Sequence, residues 1–232
     1  MKRIATVSAV LISVVMGAGA ASAALRSPQV VVNGGTLQGY LNSVGESINV
    51  STDQDAVQSW LSTDSNNSTF TFQIELTGNA AANTLGIYNG SAAVPPLYQL
   101  FPGAATSGWF AVASFRSAPT RVIVSLFDAN AAFQGSTTYL AGPPDKNDFG
   151  FYLMGPGGTF YMQDARNPGG KAQMLAFAGT GPNSGSWWAA FEDGPVASGA
   201  DADYDDAVLF LESVNPTPVN TTTWGSLKVR FR

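Results

Sequence analysis

The stretch STFTFQIEL, residues 68–76, alternates apolar and polar side chains over its whole length. Its apolar positions are Phe70, Phe72, Ile74 and Leu76, and the polar positions between them are Thr71, Gln73 and Glu75. Successive side chains of an extended chain point to opposite sides, so this period of two predicts a β-strand with one buried face.

Nine further runs follow that are short, apolar and rich in β-branched or aromatic residues, which predicts more strands. They lie at residues 84–88, 96–101, 109–115, 121–127, 149–154, 158–163, 173–179, 187–191 and 207–214. Segments such as GPGG (155–158) and NPGG (167–170) separate them, and their Gly and Pro residues favour turns. About ten short strands at this spacing predict an all-β fold, namely an antiparallel, jelly-roll-like β-sandwich.

The residues before the first strand predict one or two short N-terminal helices. In residues 36–44 the apolar side chains recur at helical spacing, at Leu37, Tyr40, Leu41 and Val44. In residues 53–61, Asp53 can cap a helix, and Val57, Trp60 and Leu61 share its apolar face. Both patterns are typical of an amphipathic helix that packs one face on a core.

The first 23 residues have the three parts of a secretory signal peptide. Lys2 and Arg3 are basic, residues 4–16 are mostly apolar, and residues 21–23 read Ala-Ser-Ala. This order predicts cleavage after residue 23 and a protein that is secreted, extracellular or at the cell surface, or periplasmic. No later apolar run approaches the length of a membrane-spanning helix, so we expect no membrane span after cleavage.

Composition excludes several classes of function. Without the signal peptide the chain has nine basic and sixteen acidic residues, a net charge of −7. This charge argues against nucleic acid or an anionic membrane as partner, because both bind basic surfaces. The chain contains neither Cys nor His, which excludes disulfides, thiolate metal sites, the usual zinc ligand and the His base of a serine triad.

The rest of the sequence predicts one domain over residues 24–214 and a linker with a short tail over residues 215–232. About 210 residues can bury one large core. The segment NPTPVNTTT (215–223) is polar and contains Pro, as linkers do. The segment WGSLKVRFR (224–232) is aromatic and basic, unlike the acidic body of the chain.

Six acidic residues fall within fifteen positions of the stretch FEDGPVASGADADYDDAVLFLE, residues 191–212. They are Glu192, Asp193, Asp201, Asp203, Asp205 and Asp206. Calcium takes six to eight oxygen ligands, and crowded carboxylates repel one another without a cation. The stretch predicts a calcium site formed by these six residues where two neighbouring strands end, with turn formation by some aspartates as the alternative.

The same stretch also matches part of an EF-hand. Loop positions one, three, five and twelve would be Asp201, Asp203, Asp205 and Glu212. However, Asp206 stands where the EF-hand has Gly, and a predicted strand follows instead of a helix. We therefore do not expect an EF-hand.

This acidic stretch resembles the signature of the domain-of-unknown-function 4114 family. That signature has Phe-Glu-Asp at a strand end, a Gly-containing loop, and Asp-x-Asp-Tyr-Asn/Asp-Asp before a hydrophobic strand. The segments NTLGIYN (83–89), DFGFYLMGPGGTFYMQDARNPGG (148–170) and KAQMLAFAG (171–179) are similar to other parts of the family, so the resemblance covers residues 48–214. It implies a secreted or surface-displayed bacterial β domain, found in PEP-CTERM-type or adhesin-like proteins, and it is compatible with a calcium role.

Two other functions fit parts of the sequence. Trp109, Trp187 and Trp188 lie beside Gly or small residues, and one of the last two is a candidate for exposure because strand neighbours face opposite sides. An exposed Trp row would stack on sugar rings, as in a carbohydrate-binding module. Glu192 with one aspartate would supply the paired carboxylates of a glycoside hydrolase, but nothing marks either as a proton donor.

Taken together, these patterns lead us to expect a secreted, non-catalytic β-sandwich protein. Its acidic loop would bind calcium, and its role would be at the cell surface or in the extracellular matrix. The expected partner is a surface glycan or a matrix protein.

Overall fold

The computed structural model describes residues 24–64, 67–74, 78–140, 142–143 and 145–217. These residues contain one α-helix, α1 (Thr36–Ser43), which lies within the predicted range 36–44. They also contain thirteen strands: β1 (Trp60–Ser62), β2 (Asn67–Ile74), β3 (Thr84–Asn89), β4 (Leu97–Phe101), β5 (Phe110–Ser117), β6 (Thr120–Phe127), β7 (Phe133–Tyr139), β8 (Phe149–Gly155), β9 (Gly158–Tyr161), β10 (Met174–Ala178), β11 (Trp187–Phe191), β12 (Ala207–Glu212) and β13 (Val214–Pro216). The predicted signal peptide, most of the predicted linker and the whole predicted tail lie outside the described residues.

The strands form two antiparallel sheets. The large sheet has the order β10-β11-β12-β2-β5-β6-β7, and the small sheet has the order β13-β1-β8-β3-β4, with β9 also paired to β8. The expected all-β, antiparallel architecture is confirmed. In the described residues, no helix is both long enough and apolar enough to cross a membrane.

The two sheets pack face to face over an aromatic core. Phe70 of β2 contacts Phe151 of β8 in an edge-to-face arrangement, with ring centroids 5.1 Å apart. Trp60 of β1 contacts Trp187 of β11 with centroids 5.3 Å apart. Edge-to-face contacts of this kind add to the stabilisation from burying apolar surface. Both contacts join the large sheet to the small one, as expected in a β-sandwich.

The N-terminal cover, residues 24–57, packs on the outer face of β10, β11 and β12. Leu37 and Leu41 of α1 share a second buried core with Phe177 of β10 and Val208 of β12. This part of the large sheet is therefore apolar on both faces, and strand β11 is buried at all five positions.

Residues 53–61, for which the pattern predicts a second helix, are extended instead. Asp55 bridges to Leu25 and Ala176, and its N–H donates to the Ala176 carbonyl at 2.8 Å. Trp60 begins β1 and is fully buried between the sheets. The helix prediction is wrong because a short helix is marginal in isolation, and backbone bonds to distant strands decide the local conformation.

The sequence patterns also missed β1, β7 and β13. Strand β7 is an edge strand of the large sheet with mostly exposed side chains, so its sequence FQGSTTY has no apolar alternation. Strand β13 pairs with β1, with Pro216 opposite Trp60. The first residues of the predicted linker therefore belong to the small sheet.

Candidate metal centre

The acidic stretch lies at one end of the large sheet, between the adjacent strands β11 and β12. Phe191, the last residue of β11, pairs with Ala207, the first residue of β12. Glu192 follows β11 and Asp206 precedes β12, so the antiparallel register brings both to the same end of the sheet. This is the pairing that the predicted convergence of the acidic residues requires.

Four of the six predicted carboxylates come together. Glu192, Asp201, Asp203 and Asp206 each offer an oxygen atom, and these four atoms lie within 4.8 Å of one another. Glu192 is only 1% exposed and Asp206 9% exposed, whereas Asp203 is half-buried and Asp201 is exposed. The cluster has a buried floor and an open side, and it could hold a metal ion.

The backbone of residues 201–206 adopts an unusual conformation. Ala202 and Tyr204 both have a φ of 57°, in the left-handed region that residues with a Cβ rarely occupy. Such residues persist only where the surroundings hold them in place. Here the Tyr204 hydroxyl donates to the Ala172 carbonyl at 3.0 Å, and the Asn33 N–H donates to the Ala202 carbonyl at 2.9 Å. The surrounding fold therefore holds the loop in place.

The carboxylates perturb one another's protonation. Burial, the charge of Asp206 and a hydrogen bond to Asp206 together raise the pKa of Glu192 to about 9. Burial also raises the pKa of Asp206, and it raises the pKa of Asp205 to about 6 with help from Asp203. Without a cation, the cluster holds a proton on Glu192 at neutral pH, because low polarity and like charges both disfavour the ionised form.

Asp193 is not part of the four-carboxylate cluster. Its side chain accepts hydrogen bonds from Asn79 at 3.2 Å and from Asn83 at 2.9 Å, and its N–H donates to Asp206 Oδ2 at 2.7 Å. It therefore joins the strand end to the segment before β3 and orients Asp206. A positioning role fits these contacts better than the predicted role as a ligand.

Asp205 also lies outside the cluster. Its N–H donates to Asp203 Oδ1 at 3.3 Å, and its buried side chain is hydrogen-bonded by Thr36 at the start of α1. Asp205 thus fixes the loop to the N-terminal cover. The prediction of six ligands separates into four residues that converge and two that hold the loop.

Glu212 does not approach the cluster. It is the exposed last residue of β12, one full strand away from Asp206. Because a strand and not a helix follows the loop, the geometry differs from an EF-hand, as the sequence indicates.

The predicted exposure of a Trp on β11 is wrong. Trp187 and Trp188 do face opposite sides, but each is only 3% exposed. Trp187 belongs to the core between the sheets, whereas Trp188 lies under the N-terminal cover, where its indole N–H donates to Glu46 at 2.8 Å. Trp109 is half-buried against the main core, so the described Trp residues form no exposed row.

Sequence reasoning missed the residues that hold the acidic loop from outside it. Asn33, Thr36 and Asn83 are each more than 100 positions away from the acids that they contact. Nothing in their local sequence distinguishes them from ordinary polar residues. Only the fold brings them to the site.

Comparison of the chain with protein-family models, with curated proteins and with solved structures gave no match in any of the three.

Proposed function

We propose that this chain is a secreted, non-catalytic, jelly-roll-like β-sandwich protein whose acidic loop binds calcium. We further propose that it acts at the cell surface or in the extracellular matrix. The observation that carries the calcium proposal is the convergence of four carboxylate oxygens within 4.8 Å of one another.

The donor chemistry favours calcium over other metals. All four converging groups are carboxylates. Calcium and magnesium prefer such hard oxygen donors, whereas copper and zinc sites are usually built on His or Cys. Calcium accepts variable geometry and six to eight oxygens, so backbone carbonyls and water can complete its shell. Magnesium requires a near-ideal octahedron and releases its water reluctantly, which suits this irregular loop less well.

The spacing of the carboxylates favours binding over glycoside hydrolysis. A hydrolase needs two carboxyl groups about 5–10 Å apart across the scissile bond. Glu192 and Asp206 are instead joined by a hydrogen bond, which leaves no room for a scissile bond between them. The resemblance to the domain-of-unknown-function 4114 family implies a secreted or surface-displayed β domain.

Calcium binding is tested by thermal unfolding of metal-free protein with and without added calcium. At a calcium concentration about 100 times Kd, binding to the folded state adds about 2.7 kcal/mol. For a chain of this size, each kcal/mol raises Tm by about 2–4 °C, so we expect an increase of about 5–10 °C that a chelator reverses. Magnesium at the same concentration should give a smaller increase.

Two variants separate the site from general charge effects. Asp203→Asn removes a converging carboxylate and should reduce or abolish the calcium-dependent increase in Tm. Glu212→Gln removes an exposed carboxylate of the same stretch and should leave the increase unchanged. The calcium proposal fails if millimolar calcium leaves Tm unchanged, or if both variants respond as the unmodified protein does.

A further inference from the structure

A second candidate site lies at the opposite end of the sandwich from the acidic loop. Strand β2 passes between the two ends: its residue Ile74 pairs with Val208, two positions after Asp206, and its residue Asn67 pairs with Ser114 of β5. Beyond Ser114, β5 turns into β6, and beside this turn lies a cavity of about 520 Å³. Cavities of this size accommodate small ligands.

Three basic side chains line this cavity, and we call it the cationic cavity. They are Arg116 at the end of β5, Arg121 at the start of β6, and Lys146 in the loop before β8. These are three of the six basic residues in the described part of an acidic chain. One carboxylate, that of Asp145, also lines the cavity, and it accepts hydrogen bonds from the backbone and side chain of Asn147.

The register of β5 and β6 places two of these basic residues opposite each other. Arg116 pairs directly with Arg121 across the hairpin. Side chains at directly opposite positions have Cβ atoms about 5 Å apart, and like charges there destabilise the pair. An anion between the two guanidinium groups would convert this repulsion into attraction, and Arg presents a planar set of donors that matches carboxylate and sulfate groups.

The other lining residues suit a ligand rich in hydroxyl groups. Ser117 and Thr120 contribute hydroxyls from the β5–β6 turn, and Asn89 contributes an amide from the end of β3. Hydroxyls and amides both donate and accept hydrogen bonds, as recognition of sugar hydroxyls requires. Phe115 adds an apolar surface to the wall.

From this combination we propose that the cationic cavity binds an anionic saccharide, a sugar that carries a carboxylate or a sulfate. Arg116 and Arg121 hold the charged group, Lys146 adds a third positive charge, and the polar side chains around them contact the hydroxyls. The site is separate from the proposed calcium site and does not depend on it.

The test is calorimetric titration of metal-free protein with three probes: a galacturonic acid tetrasaccharide, a sulfated tetrasaccharide and neutral maltotetraose. We expect at least one charged probe to bind at least tenfold more tightly than the neutral one, and the better charged probe identifies the anionic group. Binding should weaken as salt is added, because much of its energy is electrostatic. Since chelator is present throughout, the outcome is independent of the calcium proposal.

Matched variants assign the binding to the cavity. Arg116→Gln should weaken binding of the charged probe, and the double variant Arg116→Gln/Arg121→Gln should weaken it further, by at least tenfold in Kd. Both variants should keep the Tm of the unmodified protein. Lys171→Gln removes an exposed positive charge outside the cavity and should have no effect. The proposal is overturned if no charged probe binds at millimolar concentration, if the double variant binds as well as the unmodified protein, or if a short single-stranded oligonucleotide binds as tightly as the saccharide.

Discussion

Glu192 is the residue on which the chemistry of the acidic loop depends. It is almost fully buried, it is hydrogen-bonded to Asp206, and its pKa is raised to about 9 by burial and by that neighbour. A cation at the cluster would remove both reasons for holding the proton, since it compensates the buried charge and neutralises the repulsion. Metal binding and proton release are therefore linked at this residue.

This linkage predicts a pH dependence whose sign is fixed. The pKa of Glu192 is higher in the folded state than in the unfolded state, so the folded protein binds the extra proton and its stability decreases as pH rises between about 4.5 and 9. Denaturant unfolding of metal-free protein should show a lower free energy of unfolding at about pH 9 than at about pH 5. The Glu192→Gln variant should lose most of this slope.

Calcium should reverse the trend, because the ligands must be deprotonated to bind it. The calcium-dependent increase in Tm should grow with pH, and binding near pH 7 should release about one proton per ion, measured from binding enthalpies in buffers of different ionisation enthalpy. Equal slopes in the unmodified protein and Glu192→Gln, or binding without proton release, would contradict this assignment.

A second carboxylate, that of Glu46, holds the N-terminal cover to the large sheet. Its pKa is lowered, whereas the pKa of Glu192 is raised. Glu46 accepts hydrogen bonds from the Thr180 N–H and hydroxyl, from Asn183 and from the indole of Trp188, at 2.6–2.8 Å. Burial alone would raise the pKa of Glu46, but these four donors lower it. Its contribution to stability is therefore present above its unfolded pKa and is lost as pH falls through the lower folded value.

Removal of this carboxylate should loosen the cover. Glu46→Ala leaves the buried Trp188 N–H and its neighbours without their acceptor, and an unsatisfied buried group costs about 1–3 kcal/mol. We expect the free energy of unfolding, measured by denaturant titration, to fall by that amount. Glu212→Ala, at an exposed strand end, should change it by less than about 0.5 kcal/mol. A loss in Glu46→Ala no larger than in this control would show that the four bonds contribute nothing net.

Sequence patterns predict an element where one buried face sets its period. They fail where contacts with a distant segment determine the local conformation or the burial of a side chain. The predicted strand in residues 187–191 is confirmed as β11. The exposure of Trp188 could not be predicted, because α1 and Glu46, which bury it, lie more than 140 positions earlier. Residues 53–61 have a helical period, but their backbone pairs with strands from elsewhere in the chain.

The acidic loop illustrates the same limit at the candidate site. The spacing of its acids indicates convergence, and four of them do converge. The sequence could not show which two acids lie outside the cluster. Asp193 and Asp205 form hydrogen bonds with Asn83 and Thr36, which come from other parts of the chain. The spacing of acidic residues locates a candidate metal site, and tertiary contacts determine which of them converge.

The two candidate sites lie at opposite ends of the sandwich. Strand β5 alone has eight residues, which at about 3.3 Å per residue separates its ends by about 25 Å. The intervening strands are hydrogen-bonded on both sides and packed on a buried core. We therefore expect any coupling between the two sites to be electrostatic.

The range of that coupling gives a prediction for both sites together. At physiological ionic strength the Debye length is about 8 Å, much shorter than the separation, so excess calcium should change the Kd of the anionic saccharide by less than about twofold. At about 10 mM ionic strength the Debye length is about 30 Å, and the net positive charge that bound calcium adds should then strengthen anion binding measurably. Saccharide titrations in calcium and in chelator, at both ionic strengths, measure this difference, and Asp203→Asn should abolish it. A tenfold effect of calcium at physiological salt would instead mean that calcium changes the structure of the cationic cavity, because binding at one site then alters affinity at the other through the fold.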